Sequence, residues 1–187
     1  MLASSSPRRI QLLHDLELDF INVSPDTKED NASSDPVERV ELNSLRKAES
    51  VQDQYSESLI IGSDTVVSLG GEIMGKPVDR EDAMRMLGVL SGNCNEVYTG
   101  VSIIDARSGK RMTHHASTKV WFKELSNEII SEYIKSGEPL DKAGAYGIQG
   151  LGGKLVDRIE GSYSNVVGLP LELLSEMLRE FGVNTGR

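Results

Sequence analysis

Between Leu59 and Val67 the chain reads Leu59-Ile60-Ile61-Gly62-Ser63-Asp64-Thr65-Val66-Val67. The apolar residues come in continuous blocks rather than in alternation, as in a strand covered on both faces. Such a strand needs packed layers on either side of its sheet, which points to an α/β architecture. The polar interruption Gly62-Ser63-Asp64-Thr65 falls in its middle. Gly70-Gly71 then turns the strand into a hairpin with Glu72 to Met74.

The flanking sequence supplies the other elements. Leu2 to Ser4 reads as a short opening strand, and Ser6-Pro7 as N-cap plus first-turn proline of a helix through about Leu13. Asp19 to Val23 is a strand candidate, followed by a polar stretch from Ser24 to Ser34. Asp35-Pro36 repeats the cap signal and opens a long helix whose apolar stripe is Val37, Val40, Leu45, Ala48 and Val51. Asp79 caps a helix to about Leu90. Strands near Val97–Asp105 and Met112–Phe122 are joined at Arg107-Ser108-Gly109-Lys110. Ser126 to Lys135 is helical with Gly137 as its stop. A glycine-rich stretch from Gly144 to Gly153 precedes a strand from Lys154 to Ile159, and a last helix runs from near Pro170 to Gly182. Strands alternate with helices but hairpins are mixed in, so the expected fold is α/β with a mixed sheet. Both termini are expected to be exposed, with the tail from Asn184 to Arg187 frayed.

Composition narrows the function. At 38% hydrophobic residues over 187 positions the chain can build a sizeable core, which excludes intrinsic disorder. No window approaches the roughly 20 apolar residues of a membrane span. The N-terminus lacks the charge order and apolar run of a signal peptide, so a cytoplasmic protein is expected. Cys94 is the single cysteine, with no partner for a disulfide or for zinc. Twenty Lys and Arg against 29 Asp and Glu give 20 − 29 = −9, a poor balance for wrapping nucleic acid or an anionic membrane. An anionic ligand must then be small and held by local cations or a metal.

Four places carry polar and glycine residues that core packing does not ask for. In Ser4-Ser5-Ser6-Pro7-Arg8-Arg9 a strand turns at once into a helix start, where free N–H groups and two arginines make a small anion site. The alternative is a solvated first turn with two surface arginines. Asp64, within an apolar strand, needs a metal, a cation or hydrogen bonds, and a carboxylate so placed suits a general base; otherwise it is a strand-end Asp bonded into a turn. Gly75-Lys76-Pro77 offers a loop lysine. In Asp141-Lys142-Ala143-Gly144-Ala145-Tyr146-Gly147-Ile148-Gln149-Gly150, the glycines would let a backbone approach a flat ligand. Gln149 can read a base edge, and Tyr146 either stacks on a base or is packed. The usual phosphate loops are absent, Ser6 has no triad partners, and His14, His114 and His115 form no metal pattern. Together these pieces point to a small phosphorylated ligand, plausible as a nucleotide, without fixing a reaction.

Seven segments in order resemble the Maf family of nucleoside triphosphate pyrophosphatases. They are Ala3 to Arg9, Leu45-Arg46-Lys47-Ala48, Gly62 to Thr65, Gly75-Lys76-Pro77, Leu90-Ser91-Gly92, Asp141 to Gly150, and Gly161 to Pro170. The resemblance implies a mixed twisted sheet with flanking helices, in two lobes around a deep cleft and within a single domain over 1–187. It implies a relation to inosine triphosphate pyrophosphatases and usually a homodimer. It also implies hydrolysis of a nucleoside triphosphate between the α and β phosphates with a divalent metal, Mg or Mn. The segment from Asp141 to Gly150 is similar to the branch acting on dTTP and UTP, sometimes on modified pyrimidine nucleotides.

By the same resemblance Asp64 is the proton acceptor and touches the metal, with Glu29 as a second metal ligand. Arg8, Thr65 and Gln149 match positions tied to base selection, and Ser4, Ser6, Arg8 and Arg9 belong to the phosphate-side motif. Lys47, Lys76 and Lys142 would hold the triphosphate. The competing expectations are the same reaction on 7-methyl-GTP or another base, and a nucleotide-binding regulator of septum formation with little turnover.

Overall fold

The computed structural model describes residues 1–185. In chain order they form β1 (Leu2–Ala3), α1 (Pro7–His14), β2 (Asn22–Val23), α2 (Pro36–Gln52), β3 (Leu59–Leu69), β4 (Glu72–Met74) and α3 (Arg80–Leu90). Then come β5 (Cys94–Asp105), β6 (Arg111–Phe122), α4 (Asn127–Lys135), β7 (Val156–Glu160), α5 (Tyr163–Val167) and α6 (Leu171–Glu180). Three 3₁₀ turns, Glu138–Asp141, Ala143–Ala145 and Leu151–Leu155, lie between α4 and β7. The strands make one mixed sheet in the order β2-β1-β3-β5-β6-β7, with β4 beside β3. β1 runs parallel to β2 and β3, and the remaining pairs are antiparallel. No helix is long and apolar enough to cross a membrane among the described residues.

Local chemistry sets the helix starts. The side chains of Ser6, Asp35, Asp79 and Ser126 accept backbone N–H bonds in the first turns of α1, α2, α3 and α4. Each such cap contributes roughly 1 kcal/mol. Gly137, at φ 77°, ends α4 in the left-handed conformation that glycine adopts at no steric cost.

Three expectations need correction. The strand expected over Asp19–Val23 is reduced to Asn22–Val23, because its only partner, β1, is two residues long. The N-terminus is not exposed, since Leu2 and Ala3 are fully buried in a strand with neighbours on both sides. In the tail expected to fray, Thr185 is buried, and Gly186 and Arg187 lie outside the described residues.

β3 ties two cores together. Ile61 packs with Leu2, Leu13, Val101, Leu174 and Leu178 beneath α1 and α6, whereas Val67 packs with Met86, Leu90, Ile130 and Tyr133 beneath α3 and α4. The polar stretch between these two residues therefore spans the boundary of the two hydrophobic clusters. On the opposite face α2 lies close to the sheet. A Cβ at Gly62 would stand 2.1 Å from the Ser44 carbonyl oxygen and 2.9 Å from the Ala48 nitrogen, and one at Gly100 would stand 2.2 Å from the Val40 carbonyl oxygen. Two missing side chains thus bring the helix onto the strands, where Ser44 and Ser102 share a hydroxyl hydrogen bond of 2.8 Å.

Candidate active site

One edge of β3 is only partly covered. β1 lies against Ile61 and Gly62 and β4 against Val67 to Leu69, with no strand between them. A cleft of about 670 Å³ opens at this gap, so side chains from both faces of the sheet reach it. Crevices beyond strand ends, where neighbours diverge, are where open α/β sheets bind ligands. Ser4, Ser6, Arg8, Arg9, Glu29, Lys47, Asp64, Thr65, Lys76, Lys142 and Gln149 all line it.

Asp64 lies at the floor and is 5% exposed. Its Oδ1 accepts from Lys47 Nζ at 2.6 Å and its Oδ2 from Asn43 Nδ2 at 3.3 Å. A carboxylate this deep is tolerated because its charge is paired and both oxygens are bonded. Lys47 Nζ also donates to Glu29 Oε1 at 2.8 Å, so one ammonium holds two carboxylates. Burial works against the charge of Glu29, but Lys47, then Lys76 and Arg9, hold its carboxyl below the usual range. Among the described residues no group of three or more His, Cys, Asp or Glu converges. Asp64 and Glu29 are nonetheless a hard-oxygen pair already gathered about one cation. That donor set suits an ion such as Mg²⁺, which takes one or two carboxylates and fills its shell with water and phosphate.

Asn43 is a residue that the apolar stripe of α2 gave no reason to choose. Its Oδ1 accepts from the Asp30 N–H at 2.7 Å and its Nδ2 donates to the Asp30 carbonyl at 3.1 Å. One buried amide thereby clamps the irregular segment carrying Glu29 and touches Asp64. The available signal is spacing, since Asn43 stands four residues before Lys47 on one helix face.

At the start of α1, Ser4 Oγ accepts from Ser6 N, and Ser6 caps the helix. The two arginines are not free in solvent. Arg9 Nε donates to the Gly168 carbonyl at 2.7 Å and Arg9 NH2 to Thr65 Oγ1 at 2.9 Å, and Thr65 meets Thr99 at 3.0 Å. Burial lowers the Arg9 pKa while Asp64 opposes the shift. Arg8 reaches across the cleft to Asp141 at 3.5 Å, and Asp141 also accepts from Lys142 at 2.5 Å. Burial disfavours the Asp141 charge, but Lys142 and Arg8 hold the carboxyl below its ordinary value. Lys76 and Gln149 are exposed side chains facing the cleft.

The glycine-rich segment departs from its expected use. A Cβ at Gly150 would stand 2.3 Å from Glu138 Oε2, and one at Gly152 would stand 2.6 Å from the Tyr133 hydroxyl. These glycines make room for the protein's own side chains rather than for a flat ligand. Tyr146 takes the packed alternative: it is 6% exposed, meets Phe122 edge-on at 4.8 Å, and donates to Asn95 Oδ1 at 3.2 Å.

The chain is 47% identical over 184 residues to a dTTP/UTP pyrophosphatase of Dictyoglomus turgidum, covering 97% of this chain and 95% of that one. It is 48% identical over 181 residues to a dTTP/UTP pyrophosphatase of Carboxydothermus hydrogenoformans, covering 97% of each. The solved structure of the Staphylococcus aureus Ham1 protein superposes with a TM-score of 0.56 at 14% identity, over 96% of this chain and 97% of that one, a likeness of fold alone. The family described as Maf-like protein matches residues 1–181, and the chain belongs to the Maf family.

Proposed function

We propose that this chain hydrolyses dTTP and UTP to the nucleoside monophosphate and pyrophosphate. The observation that carries this is Lys47, held at 2.6 Å from Asp64 and 2.8 Å from Glu29 at the base of a cleft rimmed by Arg8, Lys76 and Lys142. Cations gathered around a buried carboxylate in a chain of net charge −9 suit a small polyanion. Cleavage of a triphosphate is largely a matter of position and charge neutralisation, which such a cluster supplies.

In this mechanism Asp64 orients a water and accepts its proton as the oxygen attacks the α-phosphorus. The bond to the oxygen bridging the α and β phosphates breaks, and pyrophosphate leaves with that oxygen. Lys47, Lys76 and Lys142 hold the phosphate chain, with Ser4, Ser6 and Arg9 shaping its entry. Arg8, Thr65 and Gln149 meet the base. Asp64 and Glu29 would hold a Mg²⁺ or Mn²⁺, whose chemistry when bound is to neutralise phosphate charge and polarise the reacting group. Modified pyrimidine triphosphates fall within the same proposal, their removal keeping them out of nucleic acid. So do a cytoplasmic location and a homodimer.

The test is incubation of the folded protein with Mg²⁺ or Mn²⁺ and a panel of standard and modified triphosphates, with the products resolved. Pyrophosphate together with dTMP or UMP is the expected result. Orthophosphate overturns the bond assignment, a preference for 7-methyl-GTP overturns the base assignment, and no turnover overturns the activity.

A further inference from the structure

We propose that Glu138 is a positioning residue for base selection, fixing the loop from Gly147 to Gly152 and, through it, Gln149. The proposal rests on the assignment of Gln149 to the base given above. Glu138 follows the left-handed Gly137 and opens a 3₁₀ turn on the cleft wall. Its Oε1 accepts from the Tyr133 hydroxyl at 2.9 Å and from Gly152 N at 3.1 Å, and its Oε2 accepts from Leu151 N at 2.9 Å. The Tyr133 hydroxyl in turn accepts from Gly147 N at 3.1 Å. The loop is thus pinned two residues before Gln149 and two residues after it, by one carboxylate and the phenol it holds.

Three glycines mark how closely this anchor fits. A Cβ at Gly150 would stand 2.3 Å from the Glu138 carboxylate, and one at Gly147 would stand 3.1 Å from it. One at Gly152 would stand 2.6 Å from the Tyr133 hydroxyl. Gln149, by contrast, is exposed, and its side chain makes no hydrogen bond among the described residues. A long, exposed amide can discriminate a base edge only if its backbone is held, because ordering it at binding would cost affinity. Glu138 supplies that hold from outside the reacting centre. The anchor must also be an acceptor at both oxygens, since three donors converge on it. Burial opposes its charge, but the Gly152 and Leu151 amides, Tyr133 and Lys142 keep the carboxyl below its ordinary value.

Glu138→Gln tests this with no change of size, because its NH2 group would face a donor whichever way the amide turns. Steady-state kinetics with dTTP, UTP, dATP and dGTP are compared for the wild type, Glu138→Gln, Gln149→Ala and the double variant. The expected result is a fall of roughly tenfold or more in the pyrimidine-to-purine ratio of kcat/KM, the scale of one charge-assisted hydrogen bond. The fall is carried mainly by KM, and the double variant is little worse than Gln149→Ala alone. An equal loss on every nucleotide, an unchanged ratio, or fully additive effects would overturn the proposal. If the wild type shows no pyrimidine preference, the base assignment fails first and the role in base selection fails with it. Amide hydrogen exchange then still decides the anchoring. Faster exchange at Leu151 and Gly152 in Glu138→Gln is expected, and unchanged protection refutes it.

Discussion

Gly62→Ala asks whether the close seat of α2 on the sheet is what builds the site. The added Cβ would lie 2.1 Å from the Ser44 carbonyl oxygen and 2.9 Å from the Ala48 nitrogen, both backbone atoms that cannot rotate away. Contact between a methyl and an oxygen relaxes only near about 3.4 Å, so the helix must retreat by ~1.3 Å. Overpacking of this kind costs about 1–3 kcal/mol, and alanine's lower entropy loss in a strand returns no more than about 1 kcal/mol of it. Because both atoms are backbone the cost falls in the upper part of that range, about 2–3 kcal/mol, and the net loss of about 1–3 kcal/mol lowers Tm by roughly 2–12 °C in a chain of this size. The same retreat carries Lys47 away from Asp64, from 2.6 Å toward about 4 Å. A displacement of about 1 Å at a reacting centre costs on the order of 100-fold in turnover. Urea unfolding and kcat on dTTP measure the two effects. If Gly62→Ala unfolds within about 0.5 kcal/mol of the wild type and keeps its kcat, α2 is not held by that contact, and the account of how Lys47 reaches Asp64 is wrong.

Asp64→Asn should abolish turnover while dTTP still binds, because Lys47 keeps Glu29 as a partner; equilibrium binding beside single-turnover kinetics checks it, and near-normal kcat would remove Asp64 as the proton acceptor. Asn43→Ala leaves one Asp64 oxygen and both polar groups of the Asp30 backbone without their side-chain partner. It should cost about 1–3 kcal/mol in urea unfolding and lower kcat as well. Glu29 has its folded pKa held below the ordinary 4.5. Its contribution is therefore present above the unfolded value and lost as pH falls through the folded one. The Tm gap between the wild type and Glu29→Gln should be constant near neutrality and close below about pH 4.5, and a gap that widens on acidification would contradict the pairing with Lys47.

Features written in neighbouring residues were legible in the sequence. Ser6-Pro7, Asp35-Pro36 and Asp79 announce helix starts because a cap acts within three residues, and the side-chain bonds are there. The apolar blocks around Gly62 to Thr65 identified the central strand and placed a buried carboxylate within it. What escaped depends on partners far along the chain. Of the stripe read for α2, Val40, Ala48 and Val51 are buried, but Val37 and Leu45 are only half-buried, while Asn43, Ser44 and Lys47 go inside. Helical periodicity treats such residues as solvent-facing, and only the close seat at Gly62 and Gly100 reverses that. The glycines from 147 to 152 carried a true signal of close approach, but the sequence does not say that the approaching group is Glu138. α5, at five residues, gives too short a periodic pattern to detect.

The bond from Arg9 to the Gly168 carbonyl joins positions 159 residues apart. A ribosome adds about 5–20 residues per second, so the arginine waits many seconds for its anchor to emerge. A nascent chain stopped between Glu160 and Gly168 holds all seven described strands yet lacks the carbonyl that accepts from Arg9 Nε. A chain cut short before Gly168 therefore keeps only Thr65 to orient the Arg9 guanidinium, and the two ends of the sequence meet in one side chain at the cleft.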